Sequence, residues 1–152
     1  MYEKFYGFKE NPFTITPDPK FFFPSEKHAE ALSSLLYAIS ERKGFAVITG
    51  EIGSGKTTVC RTLLKGLECG TKVVLITNTH FTPKQLLCSI LEELDIPFKD
   101  NWAKTKLLSC FNKFLIEQLS LNFKVILIID EAQNLNLKTL EEVRMLSNLE
   151  TE

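Results

Sequence analysis

The chain has 152 residues, enough for one core and too few for two, with 44% hydrophobic and 24% charged residues as in ordinary globular proteins. A formal net charge of −1 leaves no broad basic surface, so nucleic acid is not an expected partner. No apolar run reaches the roughly 18 residues of a membrane span, and the opening MYEKFYGFKENPF has no signal-peptide core, which predicts a cytoplasmic chain.

Residues 1–24 stand apart from residues 25–152. They hold eight of the chain's sixteen aromatic residues (Tyr2, Phe5, Tyr6, Phe8, Phe13, Phe21, Phe22, Phe23) and four of its six prolines. Pro12, Pro17, Pro19 and Pro24 forbid a continuous helix, so an irregular arm laid on the core is expected. Ser25 suits a helix cap for Glu26 to Lys43, with Ala29, Leu32, Leu35, Leu36 and Ile39 on one face and Gly44 as the stop. FAVIT, Phe45 to Thr49, reads as a short buried strand, and after a glycine loop Lys56 to Leu67 reads as a helix. KVVLIT (Lys72 to Thr77) is a second strand, and Thr82-Pro83 opens a helix to Leu94. DIPF interrupts; a longer helix then runs from Trp102 to Leu121. KVILIID (Lys124 to Asp130) is a third strand, with no polar alternation, so both its faces should be covered. A last helix spans Leu137 to Leu149. Apolar strands alternating with helices predict an α/β fold, a parallel sheet flanked by helices. The four cysteines (Cys60, Cys69, Cys88, Cys110) form no C-x-x-C pair and read as reduced, mostly buried thiols.

Gly50-Glu51-Ile52-Gly53-Ser54-Gly55-Lys56-Thr57 fits G-x-x-x-x-G-K-[ST] in full. Glycines let the backbone curl so that successive N–H groups point inward at phosphate oxygens, where a Cβ would obstruct them. The following helix adds its positive N-terminus. Lys56 is then the ligand of the β- and γ-phosphates, the Thr57 hydroxyl a ligand of Mg²⁺, and Thr58 a contact for the α-phosphate. The plain alternative is a glycine-rich turn joining strand to helix. The full pattern arises by chance in roughly one chain in a few hundred of this length, and its flanking elements are those a phosphate loop needs.

VILIIDE, Val125 to Glu131, is an apolar strand ending in acid, which puts Asp130 at the carboxyl edge of the sheet where phosphate loops also sit. Asp130 is a candidate Mg²⁺ ligand and Glu131 the candidate base for the attacking water. At the end of the second strand, Asn78 in TNTH is either a partner that holds the Glu131 carboxylate or simply a turn asparagine; both readings stand. His80 reads as a loop residue, His28 as a surface or capping residue, and Arg61 and Arg144 as surface or ion-pair residues. The aromatic arm serves as cover for the sheet, as a stacking surface for adenine, or as both.

With these residues in view, the chain resembles the ExeA-type (general secretion pathway protein A) family of AAA+ ATPases over essentially its whole length. The likeness lies in MYEKFYGFKENPFTITPDPKFFFPS, in ALSSLLYAISERKGFAVITGEIGSGKTT, and in IIDEAQNL followed by LEEVRMLSNLET. It implies a P-loop AAA+ ATPase using ATP and Mg²⁺, with Walker A at Gly50–Thr57, Walker B at Asp130 and Glu131, and a switch asparagine at Asn78. It also implies a homo-oligomer at the bacterial inner membrane that drives assembly of a secretion apparatus through a membrane partner and a peptidoglycan-linked region.

The family's sensor 1 strand, arginine finger, last strand and helical lid would follow Glu152, as would its membrane span and periplasmic part, so a truncated ATPase domain is expected. The sheet should then show a gap or a new pairing between the first and third strands. Nucleotide binding should outlive hydrolysis, because an arginine finger contributes about 10³–10⁵ in rate. Two other classes share parts of the pattern: a DNA-associated AAA+ ATPase of the transposition or loader type, and an interaction module that holds nucleotide without turnover. An adenylate- or guanylate-type kinase finds no readable acceptor site.

Overall fold

A computed structural model describes residues 2–9 and 22–150. Most of the proline-rich arm, with Pro12, Phe13, Pro17, Pro19 and Phe21, lies outside the described residues. The chain divides into two compact units, Met1–Leu67 and Glu68–Glu152.

The first unit opens with a short helix, α1 (Tyr2–Tyr6), where an irregular arm was expected. No proline falls in those residues, so nothing prevents one helical turn. Helix α2 (Glu26–Ser40) begins at the expected cap: the Ser25 hydroxyl accepts the backbone N–H of His28. It ends earlier than Lys43. Arg42, at φ 50°, takes the left-handed position in place of Gly44, and the N–H groups of Arg42 and Lys43 close back on Ile39 and Ala38. That double closure satisfies the last carbonyls of the helix.

Phe45 to Thr49 is not a strand, which corrects the sequence reading. A strand exists by pairing, and among the described residues these five make no backbone hydrogen bond. Phe45 is 51% and Val47 80% exposed, so the segment is not the buried strand its composition indicated. It runs beside α2, with Ala31 and Leu35 facing Val47 and Ile48 across a shallow cleft. Helix α3 (Lys56–Gly66) starts at Lys56 as expected, burying Val59 and Leu63.

The second unit holds the sheet. Strands β1 (Thr71–Ile76) and β2 (Lys124–Ile129) pair in parallel, with Thr71 opposite Lys124 and Ile76 opposite Ile129. A parallel pair needs a crossover, and two helices make it: α4 (Pro83–Glu93) and α5 (Lys104–Ser120). Helix α4 has the full reciprocal cap, Thr82 accepting from the N–H of Gln85 while the Gln85 side chain accepts from the N–H of Thr82. Helix α6 (Leu137–Ser147) follows β2, and its last expected residues form a 3₁₀ turn, Asn148–Glu150.

Val74 and Ile76 pack with Leu86, Leu87, Ile90 and Leu91 of α4, Leu107 and Phe111 of α5, and Val143 and Leu146 of α6. Val125, Leu127 and Ile129 of β2 join the same core. The alternate residues point the other way, and Leu75 there is exposed. The class is α/β with a parallel sheet and helices, as the sequence predicted. All four cysteines are free thiols, but Cys69 is exposed and the others only half-buried, against the expectation of buried thiols. Burial pushes the Cys88 thiol upward in pKa. Among the described residues no helix is long and apolar enough to cross a membrane.

Candidate nucleotide site

In the first unit the loop from Gly50 to Gly55 turns on two left-handed glycines, Gly53 at φ 79° and Gly55 at φ 84°. Residues with a Cβ rarely adopt that region, which is why the sequence needs glycine at these two places. The Ser54 N–H donates to the Glu51 carbonyl at 3.2 Å, tightening the turn. Ile52 stands fully exposed at its tip. The chain enters α3 through Gly55, which offers no side-chain cap, so Lys56, Thr57 and Thr58 form the helix's first turn with its positive dipole end directed into the loop. Lys56 reaches back over this turn, its Nζ donating to the carbonyl oxygens of Gly50 and Glu51, each at 2.9 Å. An ammonium has three donors, so one remains for an anion held in the same curl.

One residue reaches this loop that local sequence reasoning placed only at the surface. His28, in the first turn of α2, has Nε2 2.9 Å from the Ser54 carbonyl and Nδ1 3.0 Å from the Ser25 hydroxyl. The Ser25–His28 bond agrees with the capping role; the bond to Ser54 does not follow from local sequence, because 26 residues separate the pair.

In the second unit, Asp130 and Glu131 lie at the carboxyl end of β2. The Asp130 N–H still donates to the Ile76 carbonyl, at 2.9 Å, so the ladder continues one residue past the strand. The Asp130 carboxylate accepts the N–H of Glu131 at 3.1 Å. Glu131 itself sits at φ 57°, a left-handed conformation that turns the chain out of the sheet into a 3₁₀ turn, Ala132–Asn134. A strained non-glycine residue at the end of a strand is a recurrent feature of functional sites. The Glu131 carboxylate accepts from the side-chain amide of Gln133. Gln133 was visible in the DEAQ motif but received no role from sequence.

The ladder ends on Ile76 opposite Ile129, so Asn78 and Glu131 each stand two residues beyond the last rung. The register thus brings both to one edge of the sheet. They do not bond each other: the Asn78 side-chain oxygen accepts the N–H of His80 at 3.1 Å, a local turn, while Glu131 takes its bond from Gln133. Arg144 forms an exposed ion pair with Glu141, as the surface reading held, and its hydrogen bonds keep the Glu141 carboxyl below its ordinary pKa. Arg61 lies on α3, half-buried.

Comparison with known proteins bears on this arrangement. The AAA domain family matches residues 39–152, three quarters of the chain, including both the glycine loop and the DEAQ edge. The chain is 39% identical over all 152 residues to "General secretion pathway protein A" of Aeromonas hydrophila, and it spans 28% of that protein's length. No solved structure matches. The chain belongs to the AAA domain family, and over its whole length it is similar to the ExeA-type member of that family.

Proposed function

We propose that the chain binds ATP with Mg²⁺ and serves as the nucleotide-hydrolysing part of an ExeA-type secretion ATPase. The observation that carries this reading is the loop itself: two left-handed glycines leading into an uncapped helix start, with the Lys56 ammonium folded over the carbonyls of Gly50 and Glu51. Backbone N–H groups and a lysine converging on one curl form an anion cradle matched to a triphosphate. Residues Gly50, Glu51, Ile52, Gly53, Ser54, Gly55, Lys56, Thr57 and Thr58 bind the phosphates in this reading.

Mg²⁺ fits the donors present. Among the described residues no three His, Cys, Asp or Glu side chains gather as a dedicated metal set. A small, hard dication that keeps its waters and binds phosphate needs only one or two protein oxygens. The Thr57 hydroxyl and the Asp130 carboxylate are of the right type. When bound, the ion neutralises charge on the β- and γ-phosphates. Glu131 takes the proton from the attacking water, and Asn78, on the same sheet edge, is the residue able to restrain its carboxylate. Gln133 orients that carboxylate.

The similarity to "General secretion pathway protein A" supports the further reading that the ATPase acts in secretion; a homo-oligomer working with a membrane partner on the cytoplasmic side of the inner membrane completes the proposal. The direct test is a melting experiment. ATP with Mg²⁺ should raise the melting temperature of the chain, and Lys56→Ala should remove the rise. An equal rise in the variant would locate binding elsewhere.

A further inference from the structure

We propose that His28 is a positioning residue of the phosphate loop, fixing the direction of the Gly55 amide. The proposal rests on the nucleotide reading above and adds to it a residue from outside the motif.

The argument starts from one peptide plane. In a trans peptide the carbonyl of one residue and the N–H of the next point in opposite directions. The Ser54 carbonyl is held by His28 Nε2 at 2.9 Å. A carbonyl only accepts, so the nitrogen facing it carries the proton. With Ser54 O drawn toward α2, the Gly55 N–H is directed away from α2, to the other side of that peptide. A cradle of N–H groups works only when each one faces the anion, and a peptide free to flip would present a carbonyl there instead. His28 removes that freedom.

The fit is close on both sides of the ring. A Cβ placed on Gly55 would lie 2.9 Å from His28 Nε2 and 3.5 Å from Cε1. Glycine at 55 is thus required by its φ of 84°, and a Cβ there would also push the imidazole off its bond to Ser54. The ring is itself held in orientation. In its neutral form Nδ1 accepts from the Ser25 hydroxyl at 3.0 Å, and Ser25 is the N-cap of α2. The Phe22 ring lies beside the imidazole, centroid to centroid 5.4 Å. The start of α2 and the start of α3 are therefore tied together through one histidine.

The test is calorimetric titration of the chain with ATP and Mg²⁺ for His28→Ala, His28→Asn, His28→Gln and Lys56→Ala. Gln places an amide nitrogen the same number of bonds from the Cβ as Nε2; Asn falls one bond short. Loss of the anchor in His28→Ala and His28→Asn should weaken ATP binding roughly tenfold, the effect of one lost hydrogen bond, and His28→Gln should bind within about twofold of the parent. Should His28→Ala fail to fold, the Asn and Gln variants, one methylene apart, carry the same comparison. Parental affinity in His28→Ala, or in His28→Asn, overturns the proposal. So does a His28→Gln variant as weak as His28→Ala, which would reduce the histidine to packing against Phe22. Lys56→Ala separates the two readings: if it leaves ATP binding intact, the phosphate-loop reading fails and His28 falls with it, whereas loss of binding there with normal His28→Ala removes His28 alone.

Discussion

Ile76 and Ile129 form the last rung of the parallel ladder, and the Ile76 carbonyl accepts one more N–H, from Asp130. That extra bond fixes the backbone of Asp130 to the sheet, so the turn out of the sheet falls at Glu131, which takes the left-handed conformation. A carboxylate carried on a rigid strand end suits a group that must meet a water molecule in one place. Glu131→Gln keeps the shape and the backbone while removing the proton acceptor. In the full-length protein the variant should bind ATP at least as tightly as the parent, and phosphate release should fall by about 10²-fold or more. Unchanged phosphate release would take the base role away from Glu131.

Gln133 offers a second, independent reading of the same carboxylate. Its side-chain amide donates to Glu131 across the 3₁₀ turn. Gln133→Leu removes the donor at similar size, and Gln133→Glu replaces it with a like charge. ATP affinity should stay within about twofold in both, whereas phosphate release should fall several-fold in the first and further in the second. Equal rates in Leu and Glu variants would show that Gln133 does not act on the carboxylate.

The pattern of what the sequence revealed has a physical basis. Signals confined to a few consecutive residues were legible: Thr82-Pro83 opened α4, Ser25 capped α2, and Gly55-Lys56 marked the start of α3. Each depends on backbone groups within one turn. The segment Phe45–Thr49 misled, because its apolar composition states a preference for burial but not the presence of a neighbour to pair with. The end of α2 misled for a related reason: Arg42 adopted the left-handed turn two residues ahead of the glycine. His28 was invisible as part of the loop, since its partner lies 26 residues on and a lone histidine in a first turn has no periodicity to betray it. Glu142 was equally silent. It sits in a helix among charged residues and is nonetheless 3% exposed.

Glu142 on α6 pairs with Lys104 at the start of α5, and its second carboxylate oxygen is buried with no hydrogen-bond partner among the described residues. A buried carboxylate half satisfied in this way depends on its one cation. Lys104→Met should destabilise the chain by about 1–3 kcal/mol, at the lower end because Lys104 is itself 41% exposed and partly screened. The double variant Lys104→Met/Glu142→Leu should recover most of that loss, since removing both members exchanges the pair for apolar contact with Leu108 and Leu146. Urea unfolding of the three chains measures it. A double variant less stable than the single would mean that the ion pair contributes net stability.

That residues 45–49 make no backbone hydrogen bond among the described residues is open to direct measurement by hydrogen exchange. Each strand of this two-stranded ladder turns alternate N–H groups toward its partner, and the core behind them buries Val74 and Ile76 almost completely. Those amides should exchange only on opening of the second unit. The amides of Ala46, Val47, Ile48 and Thr49 make no backbone hydrogen bond among the described residues, and the side chains of Phe45 and Val47 face solvent. Their exchange should run within about tenfold of the rate of an unstructured peptide, while the paired strand amides are slowed by a factor of about 10³ or more, as befits a domain stable by a few kcal/mol. Strand-like protection at 45–49 would show that this apolar segment finds a ladder partner in solution, and the original reading of FAVIT as a strand would be restored.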